Sequence, residues 1–154
     1  MLRFWLNIKG NNEYFIHKLR ILISIITYLL NQDMNNDSEL QRISDYLNVA
    51  LASHQGAASI LPTDSSNVLE KLSDGLLLCF LVNTLSKKGP VIDEASLKTQ
   101  RPTIFHKLDH SNKAIEGAKN IGLEIVNVRA ESIVEMKETA VLGLMNQIMR
   151  QCPR

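Results

Sequence analysis

Aromatic residues are scarce in this 154-residue chain, at 5% of the composition with a single Trp. Single-stranded nucleic acid is held on exposed rings interleaved with basic groups, so this scarcity excludes a stacking platform. An excess of one charge is missing too. The 17 Lys and Arg residues stand against 16 Asp and Glu, a formal net charge of +1, which leaves no electrostatic footprint for a polyanion. The two cysteines, Cys79 and Cys152, lie far apart and make no disulfide framework, so the chain reads as cytosolic. No apolar run approaches the roughly 20 residues that span a bilayer. Phosphate-cradling GxxxxGK[ST] and GxGxxG loops are absent as well.

What is present is a helix-forming vocabulary of Leu, Ala, Lys and Glu in a length that suits one domain with one core. Residues 1–35 stand apart from it. They carry Arg3, Lys9, Lys18 and Arg20 against Glu13 and Asp33, and contain the apolar stretch Ile21–Leu30. Basic residues before a short apolar run fit a signal-peptide core, but NQDMNND follows without a small-residue cleavage site. The sequon Asn36-Asp37-Ser38 matters only on that export reading. A helix packed on the domain or a loose extension fits better. The richness in Ile, Asn, Leu, Tyr and Lys is also what translated A/T-rich non-coding DNA yields, which would make Met34 the start.

From Asn36 onward helices alternate with punctuation. Ser38-Glu39-Leu40-Gln41 reads as a capping box, and Leu40, Ile43, Leu47, Ala50 and Leu51 follow at helical spacing. Gly56, Pro62 and the Asp-Ser-Ser-Asn cluster then mark a loop. The run from Leu76 to Val82, seven apolar residues long, predicts a helix buried on all sides, started by Ser73 or Asp74 as cap. Cys79 sits inside it as a small hydrophobe rather than a nucleophile.

After a long connection with one short turn near Ala95 to Leu97, Leu108, Ile115, Ala118 and Ile121 predict a third helix closed by Gly122. LEIVNV reads as a connector, Glu131 to Glu135 as one helical turn, and Val141, Leu144, Met145 and Ile148 as a last helix. The fold class is all-α. His106 and His110 supply only half of a zinc ligand set and read as surface or helix-start residues. Asp93-Glu94 reads as solvated loop, and Cys152 as a tail residue without structured neighbours to activate it. Neither a catalytic constellation nor a metal or cofactor site is expected.

Taken in order, these elements resemble a calponin-homology domain, and more narrowly the first such domain of the fimbrin/plastin actin-bundling proteins. The resemblance rests on Asp74-Gly75 with Leu78-Cys79, Leu81 and Asn83, on ILPTD from Ile60 to Asp64, and on Ile92-Asp93-Glu94. It continues through Ile121-Gly122, Val126-Asn127-Val128, Ala130-Glu131, Ile133-Val134-Glu135, Leu142-Gly143-Leu144 and Gln147-Ile148. It implies a domain over residues 36–152 with a central buried helix, whose core includes Asp74, Gly75, Leu78 and Leu81, and an extension over 1–35.

The resemblance further implies a cytoplasmic, non-catalytic protein of the actin cytoskeleton. Its partner would be filamentous actin, with a second calponin-homology domain beside it, and neither nucleic acid nor membrane as a partner. Actin contact would fall on Ser38 to Ala52 and Ile121 to Arg150, since an acidic filament favours basic residues around an apolar patch. The basic candidates are Arg42, Lys119, Arg129, Lys137 and Arg150, and the apolar ones Val126, Val128 and Met136. Three departures stand out. Tyr46 and Asn146 occupy positions where Trp is common, and Met136 and Glu138 replace a Gly and a Pro, which would alter the turn and lengthen the last helix. An interaction module that no longer binds actin is the alternative, and a membrane-associated protein using residues 14–30 is a third.

Overall fold

The computed structural model describes residues 12–154. Six α-helices run in order: α1 (Asn12–Ala50), α2 (Val68–Leu72), α3 (Leu76–Leu85), α4 (Ile104–Asn120), α5 (Ala130–Val134) and α6 (Glu138–Gln151). Short 3₁₀ turns at Gln55–Ala57 and Glu94–Ser96 punctuate the connections, and no strand occurs among the described residues. Residues Ser38–Arg154 form one compact unit, and the described residues up to Asp37 belong to another. The signal-peptide reading extends into residues 1–11, which lie outside the described ones.

The expected helix start at Ser38 is not observed, because α1 passes through it. Between Asn12 and Ala50 there is neither Gly nor Pro to break the backbone ladder, so the amides of the capping-box sequence already have partners. In the Ser38–Arg154 unit, α1 buries Leu40, Ile43, Tyr46, Leu47 and Ala50, the spacing that one helix face dictates. The loop that follows is tied back to it. Asn48 donates from Nδ2 to the Thr63 carbonyl at 2.9 Å and accepts from the Thr63 amide at 2.8 Å, while Lys71 Nζ donates to the carbonyls of Ile60 and Pro62, both at 2.7 Å.

All of Leu76 to Val82 is buried, which makes α3 the centre of the core. Each large side chain so enclosed contributes about 1.5–3 kcal/mol. Its start is stricter than a simple cap. Gly75 has φ 78°, and a Cβ there would lie 2.7 Å from both the His110 Cβ and the Ser111 amide nitrogen. Only glycine permits that approach of α3 to α4. Of the two expected caps, Asp74 accepts from the Leu76 amide at 3.0 Å, whereas Ser73 closes α2 by donating to the Glu70 carbonyl at 2.6 Å.

His110 is buried rather than on the surface, and it joins three segments. Its Nε2 accepts from the Lys98 amide at 3.1 Å, so the neutral ring carries its proton on Nδ1, which donates to the Asp74 carbonyl at 2.9 Å. The Cys79 thiol donates to the His110 carbonyl at 3.2 Å. His106 is the helix-start histidine, completing a capping box with Thr103 at the head of α4. Among the described residues no group of His, Cys, Asp and Glu could hold a metal ion.

Asn83, near the end of α3, organises the long connection. Its Oδ1 accepts from the amides of Val91 and Ile92, and its Nδ2 donates to the Ile92 carbonyl and to Glu94 Oε1. Glu94 also meets His54 Nε2 at 3.0 Å, beneath which the His54 ring stacks on Phe80 with centroids 4.6 Å apart. Glu94 is therefore a half-buried structural acceptor and not a solvated loop charge: it holds the connection to α3 and to the turn after α1.

Candidate functional site

Two glutamines of α6 shape the surface that carries most of the candidate residues. Gln147 Oε1 accepts from the Val126 amide at 2.8 Å while its Nε2 donates to the Val126 carbonyl at 3.1 Å. One turn later Gln151 does the same for Glu124, at 2.8 Å and 3.0 Å. Side-chain amides thus imitate a strand edge, satisfying a connector that has no backbone partner. Ile125 points into the core, and Val126, 63% exposed, points outward. Val128 is only half-buried and packs against the core, so it supports the surface from beneath.

The C-terminal ends of α4 and α5 are set by backbone chemistry. The connector leaves α4 through a Schellman turn, with Gly122 at φ 94° and the Leu123 amide donating to the Ala118 carbonyl at 3.0 Å. α5 leaves by the same motif: Met136 holds φ 55°, and the Lys137 amide donates to the Ser132 carbonyl at 2.9 Å. The family's glycine position therefore keeps its left-handed turn with Met in it. The expectation of a lengthened last helix is corrected, since α6 begins at Glu138, the first helical position, where Pro is also favoured. The Met136 side chain is turned outward as a result and stays 47% exposed.

Among the basic candidates, Arg42, Lys119, Arg129, Lys137 and Arg150 are all exposed. Lys137 pairs with Glu135 at 2.8 Å. Arg42 Nη2 donates to Asn146 Oδ1 at 2.7 Å, so the residue standing where Trp is common fixes a cation across two helices. Lys119, Arg129 and Arg150 form no ion pair among the described residues.

Beside Arg42, α1 and the end of α6 enclose an open groove of about 380 Å³, walled by Tyr46, Val49 and Met149 with Asp45, Pro153 and Arg154 at its rim. Tyr46 Oη donates to the Cys152 carbonyl at 2.6 Å and so anchors the residue that sequence left as a loose tail. Burial, and next the nearby Cys152, raise the Tyr46 phenol above its ordinary value, with Arg154 opposing. Val49, 66% exposed, lies within the expected Ser38–Ala52 stretch but was not one of the apolar candidates named there. Its signal was present, because Arg42, Tyr46 and Val49 stand at i, i+4 and i+7 on one face of α1.

The Cys79 thiol is pushed up to about 12, chiefly by burial. Exposed cations beside apolar side chains on a helical frame have the make-up of a protein-interaction surface.

Residues 37–154 match the calponin homology (CH) domain family, and the chain belongs to it. Among curated proteins it is similar to fimbrin of Saccharomyces cerevisiae, with 33% identity over 122 residues, 75% of this chain and 19% of fimbrin. It is likewise similar to plastin-1 of Mus musculus, 29% identical over 121 residues, and to plastin-1 of Homo sapiens, 28% over 121, each covering 77% of this chain and 19% of the plastin. The chain thus spans about a fifth of the length of these relatives.

Proposed function

We propose that this chain binds filamentous actin through its CH domain, without catalysis, as part of a cytoplasmic actin-bundling or crosslinking assembly in which a second CH domain is a partner. The observation that carries the reading is the joining of cations to apolar side chains on α1, the α4–α5 connector and α6. Arg42 is held beside Val49 and Met149, and Val126 is held outward on the connector that also carries the exposed Arg129. An acidic filament surface complements such a rim, and apolar contacts at its centre exclude water. Affinity to fimbrin and the plastins supports the same reading.

Co-sedimentation of the full chain with actin filaments across a salt series tests it. Saturable pelleting that weakens as salt rises, and that falls about tenfold in affinity or more in Arg129→Glu with Lys137→Glu, is the expected result. A folded chain that stays in the supernatant at high filament concentration would sink it.

One observation favours a second reading, an interaction module that recognises another cytoskeletal or signalling protein. Asn146 draws the Arg42 guanidinium onto α6 and leaves it fewer donors for a filament. Pelleting restored or strengthened in Asn146→Trp would support this divergence.

A further inference from the structure

The α1 segment before Ser38 presents an apolar surface that the CH domain's function does not use. Every large apolar side chain from Tyr14 to Leu30 is exposed, from 39% at Leu19 to 69% at Tyr14. At 3.6 residues per turn, Glu13, His17, Arg20, Ser24, Thr27 and Asn31 fall on one narrow polar stripe, leaving an arc of about 240° that is apolar except for Lys18. An arc of that width, more than twice the roughly 100° stripe of an ordinary surface helix, does not remain in water.

The charges along the segment indicate its cover. Lys18 and Arg20, with the single acid Glu13, precede the apolar run, Asp33 and Asp37 follow it, and no charged side chain lies between Arg20 and Asp33. A lipid surface of either charge would attract one end and repel the other, and a helix lying in the interface immerses about half its circumference, less than this arc requires. No helix among the described residues is long and apolar enough to cross a membrane. Neighbouring copies running the opposite way meet both demands, because each net-basic end then faces an acidic one and more than one neighbour can share the wide arc.

We infer that residues 12–37 form an antiparallel self-assembly helix, whose occupant is further copies of this chain. Leu19, Leu22, Ile26 and Leu29 repeat at spacings of three and four and make the central seam. Leu19 faces Leu29 of the second copy, and Leu22 faces its Ile26. That register brings Lys18 within a turn of Asp33 at both ends. Apolar side chains also flank the seam, at Ile16, Ile23 and Ile25, so each helix meets more than one neighbour and the assembly exceeds a dimer. The association is independent of what the CH domain binds; only its consequence, several filament sites in one particle, rests on the actin reading.

Sedimentation equilibrium of the full chain, without filaments, tests the inference. A discrete multiple of the chain mass is expected. Leu22→Glu with Ile26→Glu should yield a monomer with unchanged cooperative unfolding of the CH domain. Lys18→Glu or Asp33→Lys alone should weaken association about five- to tenfold, and the two together should restore it. A monomeric wild-type chain, or an assembly indifferent to Leu22→Glu with Ile26→Glu, would overturn the proposal. So would a monomer that floats with vesicles of mixed zwitterionic and anionic phospholipid. Failure of the paired charge reversal to restore association would overturn the antiparallel arrangement.

Discussion

At the scale of single residues, the departures at Met136 and Glu138 sit in a left-handed turn and at the first helical position. Met136 occupies a left-handed conformation that disfavours any side chain by about 1–2 kcal/mol. Met136→Gly is therefore expected to stabilise the domain by about 1 kcal/mol in denaturant unfolding, because relief of that strain outweighs the added freedom of the unfolded chain. An unchanged or lowered stability would mean that the exposed Met makes compensating contacts.

Asp74 offers a pH test. Burial raises its carboxyl above the ordinary carboxylate value, against the opposing Leu76 amide, His110 and Lys107. The folded state then binds this proton more readily than the unfolded chain, so stability falls as pH rises from the ordinary carboxylate value through the raised one. Asp74→Asn keeps an acceptor for the Leu76 amide and should flatten that decline in melting curves taken across acidic pH, with no loss of melting temperature at neutral pH. A marked loss at neutral pH would show instead that the charge itself is needed at the head of α3.

At the scale of elements, the sequence conveyed the helices well and their beginnings poorly. Periodicity located α3, α4, α5 and α6, since a buried run or a single apolar stripe can be read directly from residue order. The Ser38 box misled because a capping sequence is a start signal only where the preceding backbone is not already helical, and nothing before it breaks the helix. Long-range pairings were equally invisible: the Asn83 cluster, the His110 bridge and the Gln147 ladder join residues whose nearness only the folded chain creates. Gln147→Ala removes the pair of bonds to Val126 and is expected to cost about 1 kcal/mol. Hydrogen exchange at the Val126 amide should accelerate well beyond that of α6, and equal protection in the variant would show that the connector is held by Ile125 burial alone.

At the scale of the whole molecule, the family and the helical class were legible from ordered short motifs, while the site was legible only in part. Most of the candidate residues are exposed, but Val128 is half-buried and supports the surface from below, while Val49, inside the expected Ser38–Ala52 stretch, shares a helix face with Arg42 that had gone unread. On the actin reading proposed above, one CH domain would grip one place on a filament, and linking such domains would multiply avidity without any new contact. Filament binding and self-association would therefore give the protein two separable properties. The Leu22→Glu with Ile26→Glu change removes the second and leaves the first, which distinguishes the two experiments above from one another.

The paired side-chain bonds of Gln147 and Gln151 carry a further meaning for recognition. Because they fasten the stretch around Glu124 and Val126 to α6 at two successive turns, the outward Val126 and the Arg150 of that helix belong to one stiff body. A partner touching both has little loop motion to quench on arrival, so the surface meets it as a ready-cast mould rather than as a segment that must set around it.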